Sequence, residues 1–236
     1  MTTVGLLCPG HAAEDDFPRI EMLLGTDVRL PLVHADMGEP DRLAEGVAEL
    51  RLAGAECVVW ASASGSFMYG WDGAHEHTRA LAVAAGLPAS STSFAFAHAV
   101  RALGVGRVAV AAGYPRDVTD RFVAFLKAAG TEVVSDGAGG PEGAGPDRAS
   151  APEGDGGEAG AREEVMELAR AGDHPDAQAV LLPDTALHTV AYLPELEESL
   201  GKPVLTANQV TVWEGLRLTE RRARGRGLGA LFAGPE

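Results

Sequence analysis

The sequence predicts an α/β fold: two similar three-layer halves with mainly parallel four-stranded sheets, related by a pseudo-twofold, with a cleft between them. Three observations carry this. Short apolar runs alternate with segments of helical periodicity along the whole 236-residue chain, the pattern of strand–helix–strand units around a parallel sheet. The pattern also starts twice, at Val4 and again at Arg107, with four strand-like runs each time. In both halves the third run stops abruptly in a polar loop, at Ser62 and at Asp184. The length suits two units of about 100–120 residues, drawn as residues 1–104 and 105–236, with the last strand–helix region 203–218 expected to pack back on the first half.

Taken in order, Val4 to Cys8 reads as a first strand closed by Pro9-Gly10. Glu14 to Leu24 carries Phe17, Ile20, Leu23 and Leu24 on one helical face. Val28 to Val33 is a second strand. Pro40 opens a helix at a position where proline is tolerated, and Gly54 closes it. Glu56 to Trp60 is the third strand, followed by the serine loop. Gly73–Ala85 is helical, Ala89–Ser91 a short strand, and Ser93 a candidate cap for a helix to Leu103.

The second half repeats this scheme. Arg107–Ala111 is a strand. The Gly104-Val105-Gly106 before it is no dinucleotide fingerprint, because it precedes the strand and no third glycine opens a helix. A helix spans Pro115–Ala129 and a strand Thr131–Ser135. Residues 136–160 are glycine, alanine, proline and acid apart from Arg148 and Ser150, with no aromatic residue; such a segment offers little burial to offset its ordering entropy and reads as a flexible insertion. Helix Ala161–Ala171, strand Ala177–Leu182, a helix through about Thr189–Leu200, strand Val204–Thr206 and a last helix capped by Asn208 complete the chain.

Composition excludes several classes of partner. A formal charge of −15 argues against nucleic acid, which needs clustered Lys and Arg. The only basic cluster, Arg221, Arg222, Arg224 and Arg226, reads as a solvated helix end and frayed terminus. No apolar run approaches the roughly 18 residues of a membrane span, and the N-terminus has no signal-peptide shape, so the expectation is a cytoplasmic protein with no membrane partner. Cys8 and Cys57 lie in apolar runs, match no zinc spacing, and read as buried hydrophobes.

Ligands of open α/β sheets sit at the carboxyl ends of the strands. That makes Ser62, Ser64, Gly65 and Ser66 candidates to hold an anion with hydroxyls and backbone N–H groups; plain cap and loop chemistry is the competing reading. Asp184 is the candidate acid or base, against a reading as a carboxylate at a helix N-terminus. His188 follows it by four residues, one turn if that stretch is helical. His11 lies on the first strand's loop. His75 and His77 alternate but lack a third ligand, so no metal site is expected.

The residues then carry a resemblance. V-G-L-L-C-P-G, A-S-G-S-F at 63–67, R-V-A-V-A-A-G-Y-P and above all G-K-P-V-L-T-A-N-Q-V-T-V-W resemble the aspartate/glutamate racemase superfamily, most closely the branch with maleate cis-trans isomerase and arylmalonate decarboxylase. The resemblance implies a cofactor-independent enzyme acting on a small carboxylate, a dimer or higher homo-oligomer, a cleft lined by the Ser62 and Asp184 loops, and a substrate contact from Tyr114; beside Asp184, Thr185 offers a second hydroxyl to a substrate. The resemblance also implies two catalytic cysteines, and the matching positions here are Ser62 and Asp184. A thiol serves as acid, base and nucleophile near neutral pH; a serine needs a separate base. The expected chemistry is therefore proton transfer by Asp184, in an isomerase or a lyase of decarboxylase type. The alternative is a catalytically altered homologue that binds a small acid as sensor or accessory protein. Asn208 and Gln209 are expected to cap and hold the last helix, and thiol chemistry by Cys8 is a remote third reading.

Overall fold

The structure is a computed structural model that describes residues 1–10, 12–25, 27–35, 40–138 and 157–233. The first half runs β1 (Thr2–Cys8), α1 (Asp16–Leu24), β2 (Val28–Arg29), β3 (Leu32–His34), α2 (Pro40–Leu52), β4 (Cys57–Trp60), α3 (Ser64–Phe67), α4 (Gly70–Ala85), β5 (Ala89–Ser91) and α5 (Thr92–Ala102). The second runs β6 (Arg107–Ala112), α6 (Arg116–Ala128), β7 (Glu132–Ala138), α7 (Gly157–Gly172), β8 (Ala179–Leu182), α8 (Leu193–Leu200), β9 (Val204–Thr206) and α9 (Ala207–Leu218).

Both sheets follow one path. The first is ordered β2-β1-β4-β5, with β3 also on β1, and the second β7-β6-β8-β9. Among the described residues every strand pairing is parallel. The first sheet has five strands rather than the expected four, because the run 28–33 is split. Thr2 pairs with Val28 and Leu6 with Leu32, the same register on both sides of the break, so this is one strand interrupted. The interruption falls at Leu30-Pro31, where proline brings no N–H to the ladder, although the Pro31 carbonyl still accepts from the Leu6 amide at 2.9 Å.

The strands alternate strictly between two cores. Val4 and Leu6 of β1, Cys57 and Val59 of β4, and Ala179 and Leu181 of β8 enter one central cluster shared by both halves. Leu7, Val58 and Trp60 face an outer cluster of the first half. Val180 and Leu182 face another in the second half. This is the period-2 alternation of strands buried on both faces, and it produces three layers in each half.

Helix α9 follows β9 of the second sheet yet packs against α5, β4 and β1 of the first. The contact is close enough to require a glycine. A Cβ on Gly215 would lie 2.1 Å from Val4 Cγ1, and the Gly215 carbonyl accepts a hydrogen bond from the Cys57 thiol at 3.3 Å. Valine is stiff about χ1 and Val4 is fully buried, so it cannot rotate away. Gly215→Ala should therefore destabilise the fold by about 1–3 kcal/mol, read as a lowered urea midpoint with an unchanged slope.

Several local expectations are corrected. Ser91, not Ser93, caps α5, with its hydroxyl accepting from the Phe94 amide at 3.5 Å; Ser93 Oγ donates to the Ala63 carbonyl at 2.7 Å. Thr206 and Gln209 form the capping box of α9, which leaves Asn208 for another task. Strand β7 continues to Ala138 and α7 begins at Gly157; residues 139–156 of the expected insertion lie outside the described residues. The basic tail is not frayed. Leu228 and Phe232 are buried, the Leu228 carbonyl accepts from Gln209 Nε2 at 2.7 Å, and Glu197 accepts from the Ala230 amide at 3.0 Å. Apolar residues beyond the arginines tie that segment down. Among the described residues no helix is long and apolar enough to cross a membrane.

Candidate active site

The serine loop leaves the carboxyl end of β4 and turns at once into the single-turn helix α3. Its serines have different tasks. Ser62 Oγ accepts the Gly65 amide at 3.1 Å, the side-chain capping that small hydroxyl residues supply at helix starts. Ser66 Oγ lies 2.9 Å from Ser91 Oγ and so ties the loop to the start of α5. Among the described residues the Ser64 hydroxyl has no hydrogen bond within the protein. Gly65 is required sterically: a Cβ there would come within 2.6 Å of Trp60 Nε1 and 3.0 Å of Ser62 Oγ. Ser62, Ser64 and Ser66 are all buried.

The corresponding loop of the second half leaves β8 as Pro183-Asp184-Thr185. Asp184 is buried, at 3% exposure, and its Oδ1 accepts the Ala186 amide at 2.9 Å, an Asx turn that fixes the carboxylate's direction. Tyr114 connects the two loops. Its ring lies 5.9 Å from Phe67 of α3, and its hydroxyl donates to the Pro183 carbonyl at 3.0 Å. The tyrosine expected to contact substrate is buried and holds the carbonyl of the residue before Asp184.

Asn208 holds a third strand-end loop against this one. Its Nδ2 lies 3.3 Å from the Ala13 carbonyl, 3.1 Å from Asp16 Oδ2 and 3.3 Å from the Thr185 carbonyl. The Ala13 amide donates to the same Thr185 carbonyl at 2.8 Å. Asp16, only 1% exposed, also accepts from the Thr189 and Val190 amides at 3.2 and 3.3 Å. Burial raises the Asp16 carboxyl above its ordinary range, against the pull of the donors from Asn208, Thr189 and Val190. Sequence reading missed this clamp, because Asp16 and Asn208 stand 192 residues apart; only the N-Q pair after Val204–Thr206 hinted at it.

His188 does not share a helical face with Asp184. The chain between them is a turn, followed by a 3-10 segment at Val190–Tyr192. The α-helix expected from about Thr189 starts only at Leu193, with Pro194 in its first turn, where a proline needs no N–H partner. His188 Nδ1 instead pairs with Asp15 at 2.7 Å, with 45% of its side chain exposed. His11 lies outside the described residues. The Thr185 hydroxyl, like that of Ser64, has no hydrogen bond within the described protein. Both thiols are buried: burial, aided by Glu14, pushes Cys8 up to about 11, and burial, aided by Glu56 and Glu214, pushes Cys57 up to about 12.

The fold defines a class of protein built from two parallel-sheet α/β halves, with polar loops at the carboxyl ends of equivalent strands, the ends where open α/β sheets place ligands. A sequence model of the family described as arylmalonate decarboxylase matches residues 38–138. Arylmalonate decarboxylase of Bordetella bronchiseptica is 36% identical over 161 residues, which cover 66% of this chain and 62% of that protein. The match therefore spans less than two thirds of that relative's length. A solved structure of an arylmalonate decarboxylase double variant in liganded form is 27% identical, covers 100% of both chains and superposes with a TM-score of 0.79. Maleate isomerase from Pseudomonas putida S16, solved with maleate, covers 99% of this chain and 98% of its own at a TM-score of 0.82; at 19% identity it shows the fold alone. By sequence and by fold, the chain is similar to the arylmalonate decarboxylase/maleate isomerase family.

Proposed function

We propose that the chain is a cofactor-independent enzyme that moves a proton on a small carboxylic or dicarboxylic acid, as an isomerase or a decarboxylase, with Asp184 in place of a thiol. The observation that carries this reading is the Asp184 carboxylate, buried at the end of β8 and oriented by the Ala186 amide. Two hydroxyls not used by the fold, on Ser64 and Thr185, suit a substrate carboxylate, while Ser62 and Ser66 shape the loop. The name of the relative at 36% identity, an arylmalonate decarboxylase, supports the substrate class.

Thiol chemistry suits this chain poorly. A maleate isomerase of Nocardia farcinica, a relative in fold, carries a covalently bound succinylcysteine intermediate, and forming such a bond takes a thiolate. Here Cys57 is buried and donates to the Gly215 carbonyl, and Cys8 is held protonated near neutral pH. In a decarboxylation, the carbon–carboxylate bond breaks, CO2 leaves, and the electron pair passes to the remaining carboxylate as an enediolate. Protonated Asp184 then delivers its proton to carbon, and hydroxyl donors from Ser64 and Thr185 stabilise the enediolate oxygen. In an isomerisation, ionised Asp184 removes the proton first. Ser64 and Asp184 are both buried, so substrate entry parts the serine loop from the Pro183–Thr185 loop.

A second reading, binding without turnover, is favoured by the commitment of the Ser62 hydroxyl to the Gly65 amide. One experiment separates the two. Arylmalonates, maleate and related acids are incubated with the protein in D2O and followed by NMR, in parallel with thermal shift. Deuterium at the α-carbon, or loss of CO2, is expected for the enzyme. An acid that raises Tm but stays chemically unchanged identifies a binder.

A further inference from the structure

Cys8, Glu14 and His34 converge at the carboxyl ends of β1 and β3. The parallel register sets Cys8 directly opposite His34, and Glu14 lies just before α1. One ligand atom from each, the thiol sulfur, a carboxylate oxygen and an imidazole nitrogen, lies within 4.8 Å of the other two. His34 Nε2 and Glu14 Oε1 are 2.6 Å apart. Cys8 is fully buried at the base of the group, and the His34 and Glu14 side chains are 60% and 42% exposed above it.

We propose that Cys8, Glu14 and His34 form a binding site for a divalent transition-metal ion of the zinc class, with three protein ligands and a fourth position open to water. The donor set selects the ion. Thiolate, imidazole and carboxylate together suit a borderline cation, whereas magnesium and calcium take oxygen ligands. Bond lengths of about 2.0–2.3 Å in a tetrahedral site imply ligand atoms about 3.3–3.8 Å apart. Loading a metal therefore opens the 2.6 Å contact between His34 Nε2 and Glu14 Oε1 and draws in those ligand atoms that stand as far as 4.8 Å apart, each a shift of roughly 1 Å against tetrahedral spacing. Glu14 and His34 can supply it, because both reach the surface, while β1 holds Cys8 still. The Gly10 amide hydrogen-bonds the Cys8 sulfur, the kind of outer contact that stabilises a ligating thiolate. On loading, the S–H bond breaks, the sulfur–metal bond forms, and the proton leaves to water.

The competing account is an ordinary exposed His–Glu pair lying over a structural thiol. Neither account depends on the proposed turnover, and the test reads the metal rather than activity. The full chain is stripped with a chelator and titrated with Co2+ alone, following thiolate-to-cobalt charge-transfer absorption in the near ultraviolet and the visible d–d bands. One equivalent should produce both, and Zn2+ should displace them. Cys8→Ser should remove the charge-transfer band. His34→Ala, a change at an exposed side chain that leaves the core untouched, should weaken binding by at least about tenfold, the loss typical even of outer-sphere partners. Wild-type protein without a charge-transfer band at one equivalent, or a band unchanged in His34→Ala, overturns the site.

Discussion

Asp184→Asn should retain the fold and lose turnover on any acid the wild-type protein converts. Asparagine keeps the Oδ1 acceptor for the Ala186 amide, so the Asx turn survives and Tm should shift little. What disappears is the ability to accept and release a proton at carbon. A positioned general acid or base contributes about 10²–10⁴-fold, so kcat should fall by that factor, about 3–5 kcal/mol of barrier, with a much smaller change in KM. Thermal shift by the same acid should persist, because Ser64 and Thr185 are untouched. Turnover within a few-fold of wild type in Asp184→Asn would remove Asp184 from the mechanism.

The largest effect on stability is expected at Glu214, in α9 where it crosses the first half. Its carboxylate is fully buried and accepts from Ser90 Oγ at 2.7 Å, His98 Nδ1 at 3.0 Å, and Arg217 Nε and Nη2 at 2.7 and 2.8 Å. Burial alone would raise its pKa, but the donors from Arg217, His98 and Ser90 outweigh it and hold the group down to about 2. Glu214→Ala strands the buried Ser90 hydroxyl and leaves Arg217 without its carboxylate. Breaking a buried charged cluster from one side costs about 3–5 kcal/mol, which denaturant unfolding would measure.

The same group sets an acid limb. Its folded pKa lies below the unfolded value of 4.5, so its stabilisation is fully present above about pH 4.5 and is lost as pH falls toward 2. The loss is on the order of 3 kcal/mol. Asp16 acts with the opposite sign: its raised pKa favours the folded state below the unfolded value and withdraws that contribution as pH rises. Glu214→Gln should flatten the acid limb and Asp16→Asn should not. An acid limb of unchanged depth in Glu214→Gln would place its origin elsewhere.

Much of the fold is legible along the chain, because its signals are local. Alternation such as Val4, Leu6 against Leu7, or Val58, Trp60 against Val59, needs only neighbouring residues to declare a strand buried on both faces. Pro31 is equally visible, and its missing N–H explains why one expected strand becomes β2 and β3. The loops at Ser62 and Asp184 are legible for the same reason, since each ends an apolar run.

The site's working parts are less so. The residue types alone do not distinguish Ser64 from Ser62 and Ser66; that division depends on the turn that brings the Gly65 amide onto Ser62 and on Ser91 arriving from another strand. Along the chain Tyr114 reads as a substrate contact by resemblance or as a packed aromatic with a satisfied hydroxyl, and which partners it takes, the Pro183 carbonyl and the Phe67 ring, is visible only in the fold. His188 loses its place beside Asp184 because the intervening residues fold as a turn.

The sequence by itself determined the two repeated α/β halves, the polar strand ends that carry the proposed site, and the presence of Asp184 and Ser62 at the two loops. The tertiary structure decided which polar groups the fold consumes and which it leaves for a ligand. It also brought Cys8, Glu14 and His34 into one cluster and closed the Asp16–Asn208 clamp. The reason is physical: strand and helix periodicity is written over a few adjacent residues, whereas a hydrogen bond or a ligand set joins whichever side chains the packing makes neighbours.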